Sequence, residues 1–308
     1  MSDVHQAGDE LPEFVDAHHH LQNLTDNPYP WITGTDVKRP LAGDISYIQR
    51  DYLTPELQRD LAGLKLIKSV HIQHGWDPSD SVGETRWLQD LNEKTGLANA
   101  IVAFADLSAP DAGKLLEAHA AYPHVRGIRQ ILKWHPKPEL SFAPSPDLAD
   151  NATWRRGFML LKRFGMSFDV QVFPWQLGSI ARLASDFPDT MLIIGHAGMP
   201  VDRSTEGLAT WIAGLKALAE QPNVYIKLSG FGLYGGHDWA PEEVGGLMLR
   251  IIDIFGTDRC MCASNLPVDG IYAPPGRIVE MIRWIADRST PSEARKLLRS
   301  NAEKAYRI

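Results

Sequence analysis

A single (β/α)8 barrel of the α/β class, spanning residues 1–308, is the fold this sequence predicts, on three observations. Short apolar runs recur about eight times, segments with helical spacing separate them, and polar side chains gather at the C-terminal ends of the runs. Buried strands alternating with amphipathic helices imply βα units and a parallel sheet. Eight such units in 308 residues favour a closed barrel over an open doubly wound sheet. No Gly-x-Gly-x-x-Gly follows a strand, which argues against a dinucleotide-binding fold.

The elements follow in order. Strand-like runs are expected at Phe14–His20, Ile67–His74, Ala100–Leu107, Val125–Leu132, Ser167–Phe173, Met191–His196, Val224–Ser229 and Arg259–Ser264. Between them, Thr85–Lys94 carries Trp87, Leu88 and Leu91 at helical spacing, and Ala112–Ala121, Trp154–Phe164 and Leu177–Phe187 follow. Gly207–Ala219, Glu242–Phe255, Gly276–Ala286 and Ser292–Tyr306 complete the helices. The longest irregular stretches, 21–54 and 134–152, both follow strands and so belong at the catalytic face of a barrel.

Reading the strand ends gives the candidate site. The first run closes on Asp16-Ala17-His18-His19-His20, and the two-residue period of a strand puts His18 and His20 on one side. Paired imidazoles at a strand end can hold a metal or polarise a carbonyl oxygen. Asp16 reads as a structural cap. The second run offers His71, Gln73 and His74; parity sets His71 with Gln73 on the face expected to look into the barrel. Arg129, suited to a carboxylate or a sugar hydroxyl, ends the fourth run. Asp169 and Gln171, then His196, Lys227 with Ser229, and Ser264 with Asn265 end the fifth to eighth. Lys227 and Asp169 read equally as site residues or as an internal charge pair. Pro28-Tyr29-Pro30-Trp31 makes a stiff loop, with Trp31 as a candidate pocket wall. His124, His135 and His237 fall in loops and read as solvated.

Composition sets the surroundings. Hydrophobic residues at 44% and charged residues at 22% describe an ordinary globular chain. Net charge is 31 minus 38, or −7, with no basic block, which excludes nucleic acid as a main partner. No run has membrane-spanning length, and Met1–Gln6 lacks the pattern of an export signal, so a cytoplasmic location is expected. The only cysteines, Cys260 and Cys262, read as buried thiols of a reducing compartment. The expected partner is a small-molecule substrate, and a homodimer is the default assembly.

These residues together resemble the amidohydrolase superfamily, over nearly the whole chain, most closely the branch of sugar-lactone hydrolases and pyrone-dicarboxylate lactonase. The resemblance rests on Asp16-Ala17-His18-His19-His20, Tyr29-Pro30-Trp31, Val70-His71-Ile72-Gln73 and Gly127-Ile128-Arg129. Phe168-Asp169-Val170-Gln171, Gly195-His196-Ala197-Gly198, Lys227-Leu228-Ser229-Gly230 and the tail Asn301–Arg307 extend it. It implies a (β/α)8 barrel and water attack on a lactone carbonyl. His18, His20 and His196 would surround the carbonyl oxygen, through one divalent metal (Zn or Mn) or directly without metal. Trp31, His71, Gln73, Arg129 and Gln171 would contact substrate. Where such chains carry an aspartate after strand eight, this one has Asn265, which cannot take a proton. Three water activators stay open: a metal-bound hydroxide, Asp269 four residues on, or a neutral histidine. A metal-dependent decarboxylase of small unsaturated or aromatic acids, and a binding homologue without catalysis, are the competing classes.

Overall fold

A computed structural model describes residues 12–34, 44–237 and 239–308; the Met1–Gln6 segment discussed above lies outside them. Eight strands run in chain order round one sheet: β1 (Glu13–His19), β2 (Lys65–Ile72), β3 (Ala100–Ala103), β4 (Val125–Ile131), β5 (Ser167–Gln171), β6 (Leu192–Ile194), β7 (Val224–Leu228) and β8 (Cys260–Cys262). Each strand from β1 to β7 pairs in parallel with the next. The seam between β8 and β1 is fastened beyond the regular ladder. Asn265 N donates to His18 O at 2.8 Å, and His20 N donates to Leu266 O at 2.7 Å. Below these, Asp16 accepts from Ser264 N at 2.9 Å and from Ser264 Oγ at 2.5 Å. The expected barrel is therefore present, and Asp16 serves its seam.

The helices of the outer layer are α1 (Thr54–Asp60), α2 (Ser81–Thr95), α3 (Ala112–Ala120), α4 (Ala152–Arg163), α5 (Leu177–Asp186), α6 (Thr205–Ala219), α7 (Pro241–Phe255) and α8 (Pro275–Ala286). Each buries its apolar stripe against the sheet, as Trp154 and Phe158 of α4 do on Phe168 of β5. Asn151 caps α4 by accepting from the amides of Thr153 and Trp154, and Ser204 caps α6 through Gly207 N. Three expectations shift. The long C-terminal helix is broken by a π turn at Lys296–Ser300. The third run leaves the sheet after Ala103. The stretch 21–54 carries a helical turn at Pro30–Thr33 and a bridge between Gln22 and Tyr52.

Two cores result. The larger lies between sheet and helices. The smaller fills the barrel with Val15, Val70, Val102, Ile193 and Met261, and Ala302, Ala305 and Tyr306 of the C-terminal helix join it from below. Cys260 and Cys262 are buried free thiols, and burial pushes the Cys262 thiol up to about 12. Among the described residues no helix is long and apolar enough to cross a membrane.

Candidate active site

The strand ends bring His18, His20 and His196 together. The ring centroids of His18 and His20 lie 4.9 Å apart and those of His18 and His196 4.5 Å apart. His196 sits in a turn where His196, Ala197, Gly198 and Met199 all take left-handed φ angles of 50°, 58°, 67° and 57°. Consecutive non-glycine residues in that region store strain, which persists only where the surroundings impose it. Trp211 of α6 does so by donating Nε1–H to Ala197 O at 2.8 Å. Gly230, itself at φ +74°, passes so close that a Cβ there would stand 2.6 Å from His196 Cβ.

The partners of each ring settle its protons. Lys227, fully buried inside the barrel, donates to Asp169 Oδ1 at 2.5 Å and approaches His18 Nδ1 at 3.4 Å. An ammonium has only protons to offer, so His18 Nδ1 is the acceptor and the ring proton lies on Nε2. His20 Nδ1 stands 2.7 Å from Ile72 O, which can only accept, so His20 Nδ1 is protonated and its Nε2 is bare. His18 Nε2–H thus donates to His20 Nε2 at 3.3 Å. Burial pushes all three imidazoles well below the ordinary histidine range, and the charges of Lys227 and Arg129 push the same way at His18 and His196. All three are neutral at pH 7. Asp169 also accepts from Tyr306 OH at 2.9 Å, so the pair first read two ways is an internal charge pair that also reaches the site.

The remaining candidates divide. Arg129 is buried, donates to Gln73 O, and leaves its Nε without a partner among the described residues. Burial lowers it to about 10, so it stays charged. Gln171 is buried and donates to Met199 Sδ at 3.5 Å. Trp31 stands edge-on to His74 at 5.1 Å, and His74 stacks on His20 at 4.2 Å. His71 does not face the barrel as expected. It alternates with Val70 and Ile72 of the inner core and turns outward to Glu84 of α2 at 3.4 Å, while its Nδ1 accepts from Leu21 N. Gln73 Oε1 is taken by Gly75 N at 2.9 Å, so this side chain braces a turn. Asn265 takes φ +55° and donates Nδ2–H to Asp269 Oδ1 at 3.0 Å, leaving its own Oδ1 buried without a partner. Burial raises the Asp269 carboxyl to about 7. It stands one residue behind the site, holding Asn265. His237 is exposed as expected, whereas His124 donates Nδ1–H to Asn99 O at 3.0 Å and is half-buried.

Lys133 is a residue that strand-end reading missed. It lies two residues beyond β4, 4% exposed, with its ammonium 4.7 Å from the Phe142 ring centroid and 5.8 Å from that of Phe173. Its only signal in the sequence is its spacing of four from Arg129 on the same strand exit.

A barrel with histidines from β1 and β6 and a lysine from β7 at its C-terminal mouth defines a hydrolase of the amidohydrolase type. The chain belongs to the Amidohydro_2 (amidohydrolase) family, whose profile matches residues 15–308. It is 37% identical over 294 residues to the uncharacterised protein y4mH of Sinorhizobium fredii, covering 96% of this chain and 98% of that one. It is 27% identical to an L-fucono-1,5-lactonase of Burkholderia multivorans, covering 96% of each. A crystal structure of an amidohydrolase from Burkholderia multivorans with bound zinc superposes at TM-score 0.78 and 26% identity, over 96% of this chain and 99% of that one.

Whether a zinc ion suits this chain is a question of donors. A metal ligand must present a bare nitrogen. His18 Nε2 carries the proton that Lys227 forces onto it, and that proton cannot move to Nδ1 while the ammonium faces it. Asn265 supplies no carboxylate. Among the described residues no group of three His, Cys, Asp or Glu side chains is placed to hold an ion. The residues in this arrangement do not fit a resident metal.

Proposed function

We propose that this chain hydrolyses a small lactone, a sugar-acid lactone or a related carboxylated ring, by direct attack of water on the carbonyl carbon. One observation carries the reading: an imidazole N–H and an imidazole lone pair stand 3.3 Å apart at the barrel mouth. Acyl hydrolysis needs a donor for the oxygen that becomes negative and an acceptor for the proton of water. When substrate enters, His18 Nε2–H exchanges its bond to His20 Nε2 for one to the carbonyl oxygen, which frees the His20 lone pair, and Lys227 behind His18 favours the growing negative charge. His20 Nε2 takes the proton as the water oxygen bonds to carbon. The unpartnered Asn265 Oδ1 accepts the other water proton and orients the nucleophile. Collapse breaks the bond to the ring oxygen, which receives the proton from His20. The product is a hydroxy acid that ionises and releases one proton to solvent. The relative named as a lactonase supports the substrate class.

The test is proton release, followed with a pH indicator, over a panel of aldonolactones and pyrone lactones with and without chelator. Release that survives the chelator, and that His20→Gln abolishes, is the expected result. The acid limb of kcat/KM should then lie well below the ordinary histidine range, because burial holds His20 low. A limb near 7 would transfer the base role to Asp269, whose carboxyl stands at about 7. Carbon dioxide release, or silence across the panel with and without added Zn²⁺ or Mn²⁺, would sink the lactonase reading.

A further inference from the structure

Lys133 is a buried cation that the reaction above does not use. Its ammonium lies against the faces of Phe142 and Phe173, and among the described residues no hydrogen bond or ion pair reaches it. Aromatic faces offset part of the desolvation of an ammonium, but they fill none of its three hydrogen-bond positions. The charge that acts on it is another cation, Arg129, whose Nε is buried without a partner among the described residues. The charges of Lys133 and Arg129 both act on His196, so both cations lie within electrostatic reach of the histidine cluster. Burial and Arg129 together bring the lysine down to about 7, as befits a site lacking its counter-charge. The backbone is committed to this placement: Lys133 O accepts from both Phe142 N and Ala143 N at 2.9 Å, which folds the 133–143 loop over the side chain.

Two like charges at one strand exit, both with open donors and neither neutralised by the other's surroundings, describe half of an ion pair. We propose that Lys133 and Arg129 together bind a carboxylate of the substrate that is separate from the ester being cleaved, with Lys133 deciding for acidic lactones over neutral ones. This rests on the lactonase reading for its substrate and on the unpartnered lysine for its charge. Phe142, 47% exposed, and Phe173 would then flank the carboxylate as they now flank the ammonium.

Two measurements keep the proposal and the lactonase reading apart. The first is kcat/KM of wild type, Lys133→Met and Lys133→Arg on an aldonolactone and on a lactone of the same ring bearing a free carboxylate. The preference of wild type for the carboxylated ring should fall about 10- to 100-fold in Lys133→Met, the size of a lost charge-assisted hydrogen bond, and be largely kept in Lys133→Arg. The second is calorimetric binding of glutarate, an inert dicarboxylate, to the same three proteins; binding should weaken by a similar factor in Lys133→Met. An unchanged preference with unchanged glutarate binding overturns the proposal, as does equal loss on both lactones. Glutarate binding that depends on Lys133, in a protein that hydrolyses no lactone, would sustain the anion site and remove the lactonase reading. Because Lys133→Met deletes a buried unpaired charge, its melting temperature should not fall, so a collapsed variant would also count against it.

Discussion

Replacing Lys227 with methionine tests the proton assignment on which the chemistry rests. The lysine is fully buried, 2.5 Å from Asp169 and 3.4 Å from His18 Nδ1. Methionine keeps the unbranched stem and removes the charge. Deleting one partner of a buried pair costs about 3–5 kcal/mol, because the other charge is left without its counter-ion. Tyr306 OH still donates to Asp169, which places the loss near the lower end, about 3 kcal/mol, or roughly 5 °C in the melting temperature of a chain this long. The double variant Lys227→Met/Asp169→Asn leaves no orphan charge, and its amide oxygen can still accept from Tyr306, so most of that loss should return. Activity should not return. With no ammonium at Nδ1 the His18 proton is free to leave Nε2, and the loss of an oxyanion donor is worth about 10²–10³ in kcat. Melting curves and lactone kinetics on the three proteins separate the two effects. Zinc affinity gives an independent readout: it should rise in the double variant, where His18 can present a bare Nε2. A double variant with wild-type kcat, or wild type that binds zinc as tightly as the double variant, would refute the reasoning.

Three further outcomes are expected. Asp269 is raised from 3.8 to about 7 by burial, so the folded chain holds its proton more tightly than the unfolded chain. This group's contribution therefore falls as pH rises from about 4 to about 7, by up to about 1.4 kcal/mol per unit, and levels off above. Asp269→Asn should gain melting temperature relative to wild type along that climb; a constant difference from pH 4.5 to 8 would dismiss the assignment. Gly230→Ala places a Cβ 2.6 Å from His196 Cβ at φ +74°, and should cost about 1–3 kcal/mol with at least a tenfold drop in kcat, read by calorimetry and kinetics. Tyr306→Phe removes one donor to Asp169 and should cost about 1–2 kcal/mol while kcat falls only a few-fold, since the Lys227 contact to His18 persists; a loss as large as that of Lys227→Met would show that Tyr306 sets the pair's geometry.

Much of this architecture is legible in the sequence. The Glu13–His19 strand and the α4 and α7 helices end within two residues of where apolar period and polar punctuation put them. Seven residues at Thr54–Asp60 were too short a helix for periodicity to register. His71 faces outward against expectation because a parallel barrel buries both faces of its strands, so polarity alone does not tell inside from outside. Lys133 escaped because a lysine past a strand end reads as solvated, and only the loop folding back at Phe142 and Ala143 buries it. The positive φ angles at His196 and Asn265, and the proton positions on His18 and His20, depend on partners far along the chain and have no local signature.

The fastening of β8 to β1 runs through the backbone of His18 and His20 themselves. These two residues are the clasp of the cylinder as well as its chemistry. A partial gap between first and last strands would separate Asn265 from the histidines while the helical layer stayed in place. Turnover is thus a sensor of ring closure. In mild denaturant it should fade before the far-ultraviolet signal does, and a ligand gripping both His18 and Asn265 should act as a stitch across the gap, restoring activity to a chain weakened at Asp16.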